Sequence, residues 1–581
     1  MNTKKYFKIA CLSLMTLAST SCLDLNPLAD MGDNLVWNKA ENFQLFANQF
    51  YSYTRDFQMG DNNYGAGVSD GPHSDYRSDL IATSSLNLYS QGTNSIPSED
   101  KNYTTLYKRI YYTNLLLKNA NSFDNQEAIK VPVAEAKFFR AYLHFELVQI
   151  WGDVILLTEP LDLDSEKLYG KRDDRGVVID QIITDLKEAA DGLPETASEE
   201  GRLTKYAALS MLSRVALYEG TWQKFHTNGK DANSNTERST ALLTIARDAA
   251  KDVIESGKYE IFYNQVLGTQ SYRYMFILED AAQCNPANLS KKDNKEYILA
   301  HRHRDGDALG TNITHGMLAN VCYITRKMAN MYLCSDGLPI DKSAKFKGYA
   351  NPTDEFVDRD NRMDNTMLKN GEAYWVNDGP WRVYWNDDDL NDCKFADVRA
   401  NSGYQNQKWC VERHVADTQE SMDYPVIRYA EVLLNYAEAV YELNGTISNE
   451  DLNNSLNLVR ERVNPDMPEL SNEFVSKYGL SMREEIRRER TVELFLEGFR
   501  IDDLKRWATA PVEMPQNQLG VKVTGTWFET NWAAQTRQLD NEGCIILYNN
   551  RTWNDKLYLY PLPSDQIQLN PELGQNPGWE K

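Results

Sequence analysis

The chain has 581 residues, a net charge of −22 and a pI near 4.9, a balance that argues against nucleic acid or anionic lipid as its principal partner. Aromatic residues reach 11%, with 33 Tyr and 12 Trp, an excess that leaves some rings at the surface, where they suit apolar faces of sugars or peptides.

The first segment carries Lys4, Lys5 and Lys8, then a mostly apolar run over 9–18, then the small residues Ser19, Thr20 and Ser21. Its apolar core is too short to span a bilayer and reads as a secretory leader. It ends at Cys22, in Ser-Cys-Leu-Asp-Leu-Asn-Pro, which reads as a lipoprotein box. The positions before Cys22 are looser than the enterobacterial pattern, which prefers leucine three residues upstream. The expectation is a signal peptide over 1–21 and a mature chain lipidated (for example with palmitate) at Cys22, with 22–40 as its tether. Beyond the leader no apolar run is long enough to cross a bilayer.

Residues 41–581 read as one mainly α domain. Its helical scaffold covers about 41–257 and 424–507, and a loop-rich lobe with short strands covers about 258–423 and 508–581. In the segment 135–151, Ala136, Phe139, Leu143, Leu147 and Ile150 recur three and four apart, with a second stripe of Phe138, Tyr142 and Phe145. A helix apolar on two sides belongs between neighbours in a stack. Amphipathic helices are predicted at 177–193, 203–222 and 242–256, with Ala207, Ala208 and Ala216 permitting close approach. Their recurrence resembles tetratricopeptide-type helix pairs, with a degenerate repeat. Over 258–420 Gly, Asn, Asp and aromatics rise and helical periodicity fades, as expected of loops that carry binding sites. Helices return at 426–443, 448–462 and 481–507, and loop and short strand follow from 508.

Cys284, Cys322, Cys334, Cys393, Cys410 and Cys544 show neither C-x-x-C spacing nor zinc-type histidine partners. Buried thiols and one or two disulfides are both compatible with that pattern.

Several stretches, in order, carry a resemblance. They are Glu-Ala-Lys-Phe-Phe-Arg-Ala-Tyr-Leu-His-Phe (135–145) with Trp-Gly-Asp-Val (151–154), and Gly-Arg-Leu-Thr-Lys-Tyr-Ala-Ala (201–208). Tyr-Pro-Val-Ile-Arg-Tyr-Ala-Glu-Val-Leu-Leu-Asn-Tyr-Ala-Glu-Ala (424–439) and Leu-Asn-Leu-Val-Arg-Glu-Arg (456–462) follow. The arginine-rich segment 486–507, Leu-Tyr-Pro-Leu-Pro (559–563) and Gln-Asn-Pro-Gly-Trp (575–579) complete the set. Together they resemble the SusD/RagB family of surface nutrient-binding lipoproteins of Bacteroidetes. The resemblance implies tetratricopeptide-like helix pairs supporting an irregular lobe, and no catalysis. It also implies an outer-membrane lid, facing the cell exterior, on a SusC-like TonB-dependent transporter, to which it delivers oligosaccharide or, in some members, peptide.

Other residue groups suggest other chemistry. Glu493 and Glu497 lie one helical turn apart with Asp502 and Asp503 behind, as an acid–base pair of a glycoside hydrolase would. Arg490, Arg500 and Arg506 at helical spacing would lower their pKa values, so an ion-pair lattice is expected instead. His301 and His303 would share one side of a strand, but the sequence supplies no further ligand, and with Arg302 and Arg304 between them a polar surface strand is expected. The acidic run around Asp387 and Asp389 would at most hold a structural Ca²⁺, lacks the EF-hand order, and reads as a solvated turn; no other cofactor is expected.

The favoured ligand site is the aromatic cluster Tyr374, Trp375, Trp381, Tyr384 and Trp385, with Asn377, Asp378 and Arg382 as hydrogen-bonding neighbours. Indole and phenol faces stack on pyranose C–H faces. A second candidate is the tyrosine-bearing stretch 61–89, with Asp75, Arg77 and Tyr89. A pure protein-binding helical scaffold is the remaining rival.

Overall fold

The computed structural model describes residues 37–57, 71–83, 85–162, 164–226, 236–281, 285–304, 310–311, 313–314, 322–369, 402–412, 419–531 and 537–580, and the backbone of 373–376 and 382–384. Its main helices are α1 (Ala40–Asn48), α2 (Lys101–Ala120), α3 (Lys130–Trp151), α4 (Arg175–Gly192), α5 (Lys205–Phe225), α6 (Thr236–Glu255), α7 (Tyr429–Asn444), α8 (Leu456–Glu461), α9 (Met482–Glu493) and α10 (Arg500–Arg506). From α2 to α6 each helix packs on the next, and α7 joins the stack against α6 and α9. This is the tetratricopeptide-like, mainly α architecture the sequence predicts.

The two stripes of α3 explain its place. Phe138, Phe139, Leu143, Leu147, Tyr142 and Phe145 are all at most 1% exposed, because α2 covers one side and α4 the other. Truncating such a ring, as in Phe139→Ala, costs about 3–5 kcal/mol. Pro132 is tolerated because it sits in the first turn, where no intrahelical partner is lost. The end of α3 is set by Gly152, at φ +74, where an added Cβ would meet the Leu559 side chain at 2.8 Å. Arg140 of α3 grips Asp185 of α4 with two hydrogen bonds of 2.6 and 2.8 Å, which fixes the axial register of the pair.

Two predicted helices are broken. The 481–507 segment is α9 and α10 with a link at 494–499, where Leu496 and Gly498 adopt φ of +64 and +75. That left-handed backbone cannot continue an α-helix. Segment 448–462 breaks at Asn454–Ser455 into Asn449–Asn453 and α8. The start of the 426–443 prediction is a strand rather than a helix.

The strands are short: β1 (Ile81–Ala82), β2 (Tyr297–His301), β3 (Tyr323–Ile324), β4 (Met367–Leu368), β5 (Ala373–Val376), β6 (Arg382–Tyr384), β7 (Gln405–Asn406), β8 (Tyr424–Arg428), β9 (Gln518–Lys522) and β10 (Cys544–Tyr548). One sheet has the order β1-β3-β7-β4, and β2–β8, β5–β6 and β9–β10 are separate antiparallel pairs. Strand β8 runs directly into α7, so the β2–β8 pair joins the loop-rich lobe to the helical stack. Cys322, Cys334, Cys410 and Cys544 are free, buried thiols. Cys284 and Cys393 lie outside the described residues. No described helix is long and apolar enough to cross a membrane.

Candidate functional site

The favoured aromatic segment is built on a hairpin. Tyr374 and Trp375 lie on β5 and Arg382 and Tyr384 on β6, with Trp375 opposite Val383 and Val376 opposite Arg382. The hairpin follows closely on β4, the edge strand of the four-stranded sheet, so a short link leads from a sheet into it. Asn377, Asp378, Trp381 and Trp385 lie outside the described residues, as do the Ca²⁺ candidates Asp387 and Asp389 and the lipidation candidate Cys22. The remaining tryptophans bear on this candidate. Trp151, Trp222, Trp409, Trp507 and Trp579 are at most 4% exposed, and Trp37, Trp527 and Trp553 pack against the core. Trp37, Trp527 and Trp553 are only partly buried, and Trp532 lies outside the described residues.

In the second candidate, 61–70 and 84 lie outside the described residues, and the structure gives Asp75 and Tyr89 another role. Ser74 caps a single 3₁₀ turn, Asp75–Arg77. Asp75 is fully buried and accepts the backbone N–H groups of Arg500 and Gly498 at 3.3 and 3.5 Å. Burial pushes its carboxyl up to about 7, against those hydrogen bonds. Tyr89 is 3% exposed and stacks on Tyr560 with centroids 5.0 Å apart and planes 3° apart. Its hydroxyl donates to the Leu557 carbonyl at 2.6 Å. The Arg77 guanidinium lies over both rings, 5.5 and 5.1 Å from their centroids. These residues fasten the N-terminal segment to the C-terminal one. Asp75 and Tyr89 have no surface for a ligand, because the partners that cover them come from the far end of the chain.

Glu493 and Glu497 belong to an ion-pair lattice, as the interleaved arginines predict, but most partners come from elsewhere. Glu493 contacts Arg428, Arg462 and Arg362 at 2.6, 2.8 and 3.0 Å. Glu497 contacts Arg428 and Lys408 at 2.7 and 2.8 Å. Glu296, Asp360, Glu489 and Arg460 complete the connected set, in which no side chain is more than 2% exposed. The set thus balances the carboxylates Glu296, Asp360, Glu489, Glu493 and Glu497 against Arg362, Lys408, Arg428, Arg460 and Arg462. Burial alone would raise the Glu493 pKa; Arg462, Arg428 and Arg362 overcome it and hold the carboxyl far below the usual range. A general acid needs the opposite shift. Of the arginines named from sequence, Arg490 and Arg506 both pair with Asp503, whereas Arg500 pairs with Asp79.

Two surface features were not legible in sequence. A groove of about 400 Å³ is lined by Arg326, Lys327, Asn330, Arg488, Gln516 and Asp540 among others, and has no aromatic ring in its wall. The second is a cluster around the histidine pair. His303 is 6% exposed, so the expected polar surface strand is incorrect for this residue. Asp56, in the segment after α1, places Oδ1 2.8 Å from His303 Nε2 and Oδ2 3.8 Å from His301 Nε2. Among the described residues this is the one group with three metal-ligating side chains within 4.8 Å of each other.

Comparisons with known proteins follow the same architecture. A profile described as the SusD family matches residues 282–579, and one described as "starch-binding associating with outer membrane" matches 31–217. A SusD-like protein of Bacteroides ovatus is 26% identical over 401 residues, 64% of this chain and 58% of that protein. A second SusD-like protein, from Formosa agariphila, is 34% identical over 122 residues, 20% of this chain and 23% of its own length. The matched regions therefore span less than two thirds of these relatives. The crystal structure of a SusD-like carbohydrate binding protein from Bacteroides fragilis superposes with a TM-score of 0.71 at 23% identity, covering 93% of this chain and 99% of that one. That likeness shows the fold.

Proposed function

The chain belongs to the SusD family, and on that premise we propose that it is a glycan-binding lipoprotein of the outer membrane. It captures oligosaccharide at the cell surface and passes it to a SusC-like TonB-dependent transporter, without breaking bonds. The family match supports binding as the activity, and Cys22 at the end of the leader supports a lipid anchor. The observation that supports the choice of ligand face is the burial of five other tryptophans. With Trp151, Trp222, Trp409, Trp507 and Trp579 consumed by the core, the 374–385 segment is the remaining concentration of indole. Sugar rings stack on such faces, and Asn377, Asp378 and Arg382 supply hydroxyl partners. Affinity is modest, since captured ligand must be released into the barrel.

Affinity electrophoresis against a polysaccharide panel tests this reading. Retardation by at least one glycan, lost in the Trp375→Ala/Trp381→Ala/Trp385→Ala variant with unchanged circular dichroism, is the expected result. Retardation that survives in the triple variant refutes the site. Released sugar from a clean preparation refutes the non-catalytic reading.

A further inference from the structure

We infer that Asp56, His301 and His303 form a binding site for a divalent transition metal of the zinc type. The site ties the segment after α1 to strand β2 of the lobe. Three observations carry this, and none depends on the glycan reading.

The first is the donor set. Two imidazoles and one carboxylate are suited to Zn²⁺, Co²⁺ or Ni²⁺ and unsuited to Ca²⁺ or Mg²⁺, which take oxygen ligands. The second is spacing. Zinc–ligand bonds of about 2.0–2.1 Å put neighbouring donors of a tetrahedron roughly 3.4 Å apart. The Asp56-to-imidazole separations of 2.8 and 3.8 Å bracket that edge, so shifts well under a side-chain length complete three corners, the metal displacing to solvent the proton that His303 Nε2 and Asp56 share. Asp56 and His301 are 35% and 20% exposed at their side chains, which leaves the fourth corner to water.

The third is the setting of His301. Its Nδ1 lies 2.9 Å from the Thr54 hydroxyl, a contact that holds the ring with Nε2 toward Asp56 Oδ2. Orientation of a ligating imidazole through its other nitrogen is the usual construction of zinc sites. His303 is fixed from behind by its backbone N–H, which donates to Asp423 Oδ1 at 2.9 Å.

The test uses the purified full chain, stripped with chelator. Titration with zinc chloride is expected to give one saturable site that calcium and magnesium chloride do not fill. Cobalt chloride is expected to give the intense visible bands of a four-coordinate ion. Asp56→Asn and His301→Gln should each weaken zinc binding by more than about 100-fold. Wild-type binding that is absent, or affinity unchanged in His301→Gln, overturns the site. Should a variant fail to fold, the unaltered chain still decides. Saturating zinc must protect His301 from diethyl pyrocarbonate, read by mass spectrometry with His226 as internal reference. Equal modification of His301 with and without zinc overturns the proposal.

Discussion

Glu493→Gln is the most demanding perturbation of the buried lattice. The substitution keeps the shape and removes one negative charge from a set in which five named carboxylates balance five named cations. Arg428, Arg462 and Arg362 lose a carboxylate at 2.6–3.0 Å, and none of them has access to water. A glutamine oxygen accepts from one of the three, but its amide N–H groups face the others. Hydrogen bonds to charged groups are worth about 1.5–3 kcal/mol each, and removing one member of a buried pair costs about 3–5 kcal/mol. The expected loss is therefore about 3–5 kcal/mol, roughly a 150- to 5,000-fold fall in the folded-to-unfolded ratio. Urea unfolding followed by tryptophan fluorescence and far-UV circular dichroism measures it, with coincident transitions as the check on two-state analysis. Adding Arg462→Gln restores the charge balance, so the double variant should lose less than the sum of the singles by at least about 1 kcal/mol. A Glu493→Gln variant within about 1 kcal/mol of wild type, or strictly additive losses, would refute a tightly coupled lattice.

Acid should unfold the protein through the same physics. Glu146 and Glu438 are held at about 2: burial works against this, but Arg55 and His73 at Glu146 and Arg506 at Glu438 prevail. Their folded pKa values lie below the ordinary 4.5, so their stabilisation is complete above that pH and is lost as pH falls toward 2, which a pH series of urea midpoints will show. Tyr89→Phe leaves the Leu557 carbonyl without its donor and should cost about 0.5–1.5 kcal/mol while glycan retardation stays the same; a lost glycan interaction would return Tyr89 to the ligand site. Cys322, Cys334, Cys410 and Cys544 should resist a thiol reagent in the native state and react on unfolding, with the peptides identified by mass spectrometry.

What the sequence made legible were features with a local period. The two stripes of α3 predict a helix covered on both sides, and every one of those positions is buried. The helix break at 494–499 was not legible, because the apolar and charged periodicity runs through it while Leu496 and Gly498 turn the backbone left-handed. The interleaved arginines foretold a lattice but not its membership, since Arg362, Lys408 and Glu296 approach from segments without helical pattern. Tyr89 and Asp75 carried the look of a ligand cradle for a similar reason: Tyr560 and Arg500, which cover them, lie more than four hundred residues away. His301 and His303 were seen as a pair lacking a third donor, and Asp56 supplies it from 247 residues upstream.

The membership of the lattice explains how a lobe so poor in secondary structure is held to a rigid stack. Glu296, Asp360, Arg362 and Lys408 belong to the loop-rich lobe, whereas Arg428, Arg460, Arg462, Glu489, Glu493 and Glu497 belong to β8 and the helical region after it. Apolar burial is non-directional and tolerates sliding, so it would leave short strands and loops free to shift against the helices. Guanidinium–carboxylate forks fix distance and angle together. Several of these pairs cross from lobe to stack or lock an arginine that does so, Arg460–Glu489 lying within the stack; Arg428, for example, holds Glu296, Glu493 and Glu497 at once. Replacing such a set by apolar residues can preserve stability, because desolvating the charges consumes most of what the attraction contributes. Orientation is what it supplies beyond stability. A receptor whose ligand contacts sit on loops needs those loops aimed, and an apolar replacement that kept the urea midpoint but weakened glycan retention would separate the two roles.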